Sequence, residues 1–396
     1  MVAASWFTPE VRRLRLGVRR SNRAVWKPAI LALCAGLLAG CTAGTGSAQP
    51  VSAHPGDPAP GTGASPPALS PALSPAAAAE RHEFTRLVMG VATRIVVYAP
   101  SLDAASDAAA GAFHRLAELE QSMSDYRPTS EISHLAEHPG IPQPISPDLL
   151  EVLSIAGTVT RHCGGAFDVT VGPLSRLWRS SRKSGTLPTA DQLAAARSAV
   201  GPDKLTLDPV ASRVTLAAPG MQLDLGGIAK GYAAGKAVRY LRQRGFPQCL
   251  VALAGDVAVG EAPPGRPGWR VEVSRRQRPG HTGPAPEPLA VWLVNQSIST
   301  SGDSEQFIEL GGRRYTHMLD PSTGLGSPGG VTITVISPRG AIADSLSTAL
   351  CLVPADRVAP LVLTADLRPC AAIIQRDGTS APVVIDPSGL IDWAQQ

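Results

Sequence analysis

Asp344 and Thr348 stand four residues apart at the start of a predicted helix, so their side chains share one face. A carboxylate and a hydroxyl are hard oxygen ligands of the kind Mg²⁺ accepts, together with water and substrate phosphate. An aspartate in a first helical turn also serves the helix dipole without any metal, so these residues alone leave both readings open. A second group lies in Leu223–Lys236, LDLGGIAKGYAAGK. A strand-like run ends at Asp224, two glycines follow, and Lys230 and Gly231 open an Ala-rich helical pattern. Such glycines let the backbone approach a ligand. The N–H groups of a helix start, helped by the Lys230 ammonium, attract phosphate. The stretch is neither a Walker A loop nor G-x-G-x-x-G, and an ordinary strand–turn–helix junction has the same form. His317, in YTHMLDP, is placed between a strand end and a turn, as a base near neutral pH or as a hydrogen-bonding strand residue. Thr300-Ser301-Gly302-Asp303 offers hydroxyl and backbone donors after a strand, or forms a plain turn. Gly164-Gly165-Ala166-Phe167-Asp168 is a Gly-rich approach to an aromatic and an acid, and Tyr126 can stack on a planar ring or fill a core.

The elements that must position these groups follow from local signals. Strands are expected at Phe84–Met89 and Thr93–Tyr98. A helix is expected over Asp103–Met123, where Phe113, Leu116, Leu119 and Met123 are spaced for one buried face. Ser146-Pro147 starts a helix to about His162, and Thr189 with Gln192 forms a capping-box pattern. Short strands at Leu205–Leu207 and Val214–Ala217 precede the Leu223 strand, whose following helix ends near Gly245. The second half reads as strands at Leu250–Val259, Trp269–Val273, Ala290–Val294, Val331–Ile336, Ala371–Gln375 and Pro382–Ile385. It adds a hairpin of Phe307–Leu310 with Tyr315–Leu319 around Gly311-Gly312 and a helix over Ile342–Leu352. Arg275–Pro288 reads as a loop. Strands and helices mix without a strict βαβ repeat, which makes the fold class α+β.

Of the 396 residues, 1–40 hold seven basic side chains against Glu10. That is +6 of a total of +4, leaving −2 on the remainder, so a nucleic-acid partner is not indicated. The basic stretch precedes an apolar run, Ala29–Ala39, too short to span a bilayer, and Leu38-Ala39-Gly40-Cys41 is similar to a bacterial lipobox. The resemblance implies cleavage before Cys41, lipidation of that cysteine and an exported protein anchored to a cell-envelope membrane. Thr42–Ala79, with eight prolines, one acid and no Lys or Arg, reads as an extended tether. The expected organisation is a lipoprotein signal peptide at 1–40, the lipidated cysteine and a disordered linker at 41–82, and a catalytic unit at 83–396. Cys163, Cys249, Cys351 and Cys370 remain for the exported part, with three possible pairings, no metal-site spacing, and Cys351 expected as a buried thiol.

The order of the motifs resembles the ApbE family, the FAD:protein FMN transferases. The residues that carry it begin with Met89-Gly90, Ser124-Asp125-Tyr126, Ser130-Glu131-Ile132-Ser133, Gly165-Ala166-Phe167-Asp168 and Val171-Gly172-Pro173-Leu174. Asp224 to Tyr232, Ala254-Gly255-Asp256 and Ser299 to Asp303 follow, then His317 to Pro321, Thr323-Gly324 and Ala343 to Ala349. Val91, Ala254, Gly235 and Ser304 depart from the family's usual residues. The resemblance implies one α+β unit of two interlocked subdomains with mixed sheets and FAD, as substrate, bound between them. It implies that Met89, Tyr126, Ala166, Phe167, Asp168, Asp224, Lys230 and Met318 line the flavin nucleotide. Mg²⁺ would be held by Asp344, Thr348 and backbone oxygens near Gly227 and Ser347. Lys230, Asp344 and His317 would act on the reaction: FMN passes to a threonine of an acceptor protein, such as a subunit of a membrane redox complex, and AMP leaves. The same site with water as acceptor would be an FAD pyrophosphatase, and without turnover it would be a flavin-binding lipoprotein. Cys41→Ser is expected to abolish lipidation and move the protein off the membrane, as read by fractionation and intact mass, because one anchor site carries all the acyl chains.

Overall fold

The computed structural model describes residues 79–276, 286–303, 307–310, 313–377 and 381–394. The leader, Cys41, most of the tether, Ser304 and the Gly311-Gly312 turn lie outside these residues, as does most of the expected Arg275–Pro288 loop. The elements begin with β1 (Glu80–Val88), β2 (Val91–Ala99), α1 (Leu102–Met123), α2 (Glu131–Ala136), β3 (Gln143–Pro144), α3 (Pro147–His162), α4 (Gly172–Ser184), α5 (Ala190–Ser198), β4 (Leu205–Asp208) and β5 (Arg213–Leu216). They continue with α6 (Ala229–Gln243), β6 (Cys249–Leu253), β7 (Asp256–Val259), β8 (Trp269–Val273), β9 (Leu289–Leu293), β10 (Ser297–Gly302), β11 (Phe307–Leu310), β12 (Arg313–Thr316), β13 (Leu319–Asp320) and β14 (Leu325–Gly326). The last are β15 (Val331–Ser337), α7 (Gly340–Leu352), α8 (Ala355–Val362), β16 (Ala371–Arg376), β17 (Val383–Ile385) and β18 (Asp392–Trp393).

One sheet organises the chain, in the order β1-β2-β6-β7-β10-β15-β16-β17. Every ladder in it is antiparallel, where the resemblance implied mixed sheets. Alternate side chains of its central strands point to opposite faces. Ile95, Val97, Val251, Leu253, Ile333 and Val335 pack under α1, α3, α6 and α7. Val96, Leu250, Ala252, Val257, Val259 and Ile298 meet Trp269, Val271, Val291 and Leu293 of the small β18-β9-β8 sheet. With both faces covered, β6 and β15 are buried along their whole length; β6 reads as an unbroken apolar run, whereas β15 carries Thr332, Thr334 and Ser337 among its apolar residues. β2 and β6 are neighbours although Ala99 and Cys249 bracket an insertion containing the six helices α1 to α6 and the β3-β5-β4 sheet. That insertion interlocks the two parts of the α+β unit.

Local signals placed α1, α3, α5, α6 and α7, whereas α2, α4 and α8 were not expected. Ser146 caps α3 ahead of Pro147, and Thr189 and Gln192 make the reciprocal capping box of α5. Three expectations change. The Leu250–Val259 run is two strands, because Ala254 takes φ +52° and turns the chain so that Leu253 pairs with Asp256. The Leu223 strand is not a ladder strand: Gln222 makes one isolated parallel bridge to Val171, and the Asp224 N–H donates to the Val169 carbonyl. Thr300 to Gly302 form no turn; they end strand β10, paired with β15. In addition β1 starts at Glu80, three residues before the expected boundary at 83. Cys163, Cys249 and Cys370 are buried free thiols, and Cys351 is half-buried rather than buried, its thiol donating to the Ser301 carbonyl.

Helices α6 and α7 cross with their backbones in contact. A Cβ on Gly340 would lie 2.1 Å from the Gly231 carbonyl oxygen, and one on Gly231 would lie 2.3 Å from that of Gly340. Neither neighbour is a flexible side chain, so the helices would have to move apart. Gly340→Ala is therefore expected to destabilise the protein by about 1–3 kcal/mol, an overpacking cost, read as a lower midpoint in thermal or urea unfolding. An unchanged midpoint would mean the crossing tolerates a wider spacing.

Candidate active site

A cleft of about 370 Å³ opens where the first turn of α6, the middle of α7, the β6–β7 turn, the end of β10 and helix α4 converge. The α6–α7 crossing sets its polar floor. Because Gly231 lacks a side chain, its N–H reaches the Asp344 carboxylate, donating to Oδ2 at 2.9 Å. Asp344 lies beyond the first turn of its own helix, which holds no acid. It thus caps the neighbouring helix, not its own, contrary to the simpler capping expectation. The N–H groups of Ile228 and Ala229, at the start of α6, are also satisfied internally, donating to the Leu225 carbonyl. The helix start therefore offers less to a phosphate than the glycine pattern suggested, and the positive charge comes from Lys230.

Lys230 donates from Nζ to the Gly226 carbonyl at 3.1 Å and pairs with Asp256 at 3.1 Å and Asp344 at 3.9 Å. Burial works against its charge, but Asp256 and Asp344 outweigh it and raise the ammonium above its ordinary value. Burial lifts the Asp344 carboxyl to about 7, with the Asp256 charge adding to the rise and Lys230 partly offsetting it. Beside it the Ser301 hydroxyl lies 3.1 Å from that of Thr348 and 2.9 Å from that of Ser347. Ser347 donates in turn to the Asp344 carbonyl at 2.9 Å. Gly227 lies against this pair: a Cβ there would meet Thr348 Oγ1 at 3.2 Å and the Phe167 ring at 3.1 Å. Among the described residues no three His, Cys, Asp or Glu side chains gather as a metal cluster. The oxygen donors are one carboxylate, hydroxyls and backbone.

The upper wall comes from α4, which sequence reasoning missed. Ser175, Trp178, Arg179 and Arg182 line the cleft at helical spacing. That periodicity, Leu174, Trp178 and Ser181 buried among basic residues, was the available signal. Arg179 bridges Asp125 at 2.5 Å and Asp224 at 3.2 Å, and its guanidinium lies 4.3 Å from the centre of the exposed Tyr126 ring. Asp224 also accepts from the Gly226 N–H at 2.8 Å, which shapes the glycine turn. Burial first, and then the Asp224 charge, raise the Asp125 carboxyl above the usual range. Asp125 and Asp256 both stand in recognised motifs, yet only the folded chain shows that each neutralises a cleft cation.

Of the expected site residues, the cleft brings together Tyr126, Ala166, Phe167, Asp168, Asp224, Gly227, Lys230, His317, Met318, Asp344 and Thr348. Asp168 is buried and its carboxylate is engaged by the N–H and hydroxyl of Thr170, at 2.8 Å each. It holds the loop that presents Phe167. His317 is exposed at the rim between β12 and β13. Met89 does not line the cleft: it sits at the β1–β2 turn with φ +52°, packed against the main core, and Val91 lines the cleft in its place. Ser347 is fully buried below the cleft lining and reaches it through Ser301.

The sequence model of the ApbE family matches residues 89–374. The chain belongs to the ApbE family. Among curated relatives, a Haemophilus influenzae protein named FAD:protein FMN transferase is 33% identical over 250 residues, 61% of this chain and 71% of the relative. One of the same name from Treponema pallidum is 33% identical over 286 residues, 68% of this chain and 78% of the relative. The solved flavin transferase ApbE from Vibrio cholerae superposes with a TM-score of 0.69 at 25% identity, covering 79% of this chain and 98% of that one. The Pseudomonas stutzeri flavinyl transferase ApbE gives 0.66 at 26% identity, covering 78% and 95%. The β1–β17 sheet and the cleft thus belong to an ApbE-type α+β fold.

The Asp344 environment makes a signed prediction. Its carboxyl ionises at an ordinary 3.8 outside this environment and at about 7 in the fold. Between those values the folded protein keeps a proton that the unfolded chain has released. This contribution to stability is complete at low pH and is lost as pH rises through the folded value. In metal-free protein, Asp344→Asn is therefore expected to gain stability relative to the parent as pH rises from about 4 to about 7. Thermal melts across that range check it, and a constant difference between the two proteins would contradict it.

Proposed function

We propose that this ApbE-family chain is an FAD:protein FMN transferase, moving the FMN half of FAD to the threonine hydroxyl of an acceptor protein and releasing AMP. The observation that carries the reading is the floor of the cleft, where Lys230 and Asp344 meet beside Thr348 under a wall bearing Tyr126, Phe167 and Met318. The ring-lined wall suits a planar flavin, and the floor suits its pyrophosphate. Names of the curated relatives support the donor and the type of acceptor.

Mg²⁺ fits the residues present. It is commonly bound by one or two carboxylates with waters and substrate phosphate, not by a full protein cage. Asp344 with Thr348, and oxygens of Gly227 and Ser347, make such a partial set. Bound there, the ion would supply charge neutralisation at the pyrophosphate. The chain's own groups do the rest. Lys230 holds phosphate oxygens, and the Arg179 bridge keeps Asp224 and the Gly226-Gly227 turn in place. His317, at the rim where an acceptor arrives, takes the proton from the threonine hydroxyl. The threonine oxygen bonds to the FMN phosphorus, the bridging P–O bond breaks, and its electron pair leaves with AMP. Positioning and charge stabilisation carry most of such a transfer. The lipobox supports export and a lipid anchor at Cys41, with residues 41–79 as a tether reaching a membrane-bound acceptor such as a redox-complex subunit.

The test incubates the protein with FAD, Mg²⁺ and a candidate acceptor and reads the acceptor by mass spectrometry and AMP by chromatography. The acceptor is expected to gain the mass of FMN as a threonine phosphoester, with AMP release accelerated by the acceptor. His317→Ala is expected to slow transfer about a hundredfold or more with FAD binding retained. AMP and free FMN released at a rate indifferent to acceptor would make the protein a pyrophosphatase. Neither product would make it a flavin carrier.

A further inference from the structure

Asp256 is the first residue of β7, 5% exposed, and delivered to the cleft by the Ala254-Gly255 turn. A carboxylate that deep needs a compensating partner. Its ion-pair partner is Lys230, whose Nζ lies 3.1 Å from Asp256 Oδ2 and 3.1 Å from the Gly226 carbonyl, but 3.9 Å from Asp344 Oδ2. An ammonium has three N–H donors. Two are committed at hydrogen-bonding distance to Gly226 and Asp256, which leaves the charge beside Asp344 without a tight hydrogen bond to it. Without Asp256, the nearest carboxylate to the ammonium is Asp344, and closing on it would set a tethered cation against any ion arriving from solution.

We infer that Asp256 is a positioning residue that holds the Lys230 ammonium back so that Asp344 remains available to a divalent cation. The inference rests on the metal reading of Asp344 given above and extends it to a residue outside the ligand set. It acts through Lys230: Asp256 touches neither Thr348 nor Ser301 in any hydrogen bond of the described residues, whereas its pairing with Lys230 is direct. The same arrangement keeps Lys230 extended into the cleft, where it meets the pyrophosphate, instead of folding onto the carboxylate of α7.

The experiment titrates Mn²⁺ into the full-length, FAD-free protein and reads free Mn²⁺ by electron paramagnetic resonance, so turnover plays no part. Asp256→Asn is expected to weaken Mn²⁺ binding about tenfold or more, the usual effect of losing a supporting partner of a metal site. Lys230→Met is expected to bind Mn²⁺ at least as tightly as the parent, since the competing cation is gone. In the Lys230→Met background, Asp256→Asn is expected to change the affinity by less than about twofold, because the two residues act as one unit. A tenfold weakening that persists in that background would overturn the inference and make Asp256 a direct electrostatic contributor. Unchanged binding in Asp256→Asn would overturn it as well. If Asp256→Asn does not fold, Asp256→Ser takes its place in the same cycle: a loss of about tenfold that vanishes in the Lys230→Met background is expected, and parental affinity, or a loss that persists in that background, would overturn the inference. Parent protein that takes up no Mn²⁺ would remove the metal reading itself, an outcome distinct from failure of the cycle alone.

Discussion

The cleft depends on the contact between Gly231 and Gly340. Two helices whose backbones touch leave no room for a side chain at the crossing, and the reward is proximity between groups that sequence separates widely. Gly231 gives its N–H to Asp344, Lys230 comes within 4 Å of the same carboxylate, and Thr348 falls one turn further along α7. Ser297 and Ser301 of β10 lie under the same stretch: Ser297 Oγ is 3.3 Å from the Cβ position of Gly340, and Ser301 reaches Ser347 and Thr348. Separating the helices by the width of a methyl group would break the Gly231–Asp344 hydrogen bond and draw Lys230 away from the same carboxylate.

Around this crossing the cleft alternates charge. Lys230 sits between Asp256 and Asp344, and Arg179 sits between Asp125 and Asp224. Each cation has two acids, so neither half is neutral without a ligand cation, and the floor is more acidic than a phosphate site would tolerate unaided. Buried ion pairs of this kind contribute little net stability, since desolvation offsets their attraction. Their effect is to fix direction: the Arg179 bridge orients the Asp224–Gly226 turn, and the Asp256 pair orients Lys230.

Legibility in the sequence followed the range of the interaction. The caps at Ser146 and Thr189 were readable because donor and acceptor lie within three residues. Asp344, Thr348 and Lys230 were readable because their spacing suits oxygen ligation and phosphate binding and because the order of the motifs resembles that of the ApbE family. Asp256 and Arg179 were not singled out, since their partners lie far away along the chain and nothing local marks a salt bridge. The β6–β7 turn was hidden by Ala254, a residue that seldom takes positive φ and so reads as strand. Met89 was misplaced for a similar reason: its positive φ turns the β1–β2 connection and leaves Val91 at the cleft. Helix α4 was hidden by its basic composition, although its buried residues keep helical spacing.

The pairing of β2 with β6 across the long insertion carries a kinetic consequence. β1 and β2 form a local hairpin, yet their partner in the sheet is made only after six helices and the β3-β5-β4 sheet have left the ribosome. Closing so long a loop costs more entropy than closing a short one, though each doubling adds only about 0.6 kcal/mol. Non-local pairings of this kind slow folding more than they weaken the folded state. Closure of the central sheet is thus a late step: β6 can pair with β7, and β15 with β16, from nearby parts of the chain, but the edge of β6 that β2 covers stays open until the insertion has brought the two strands together.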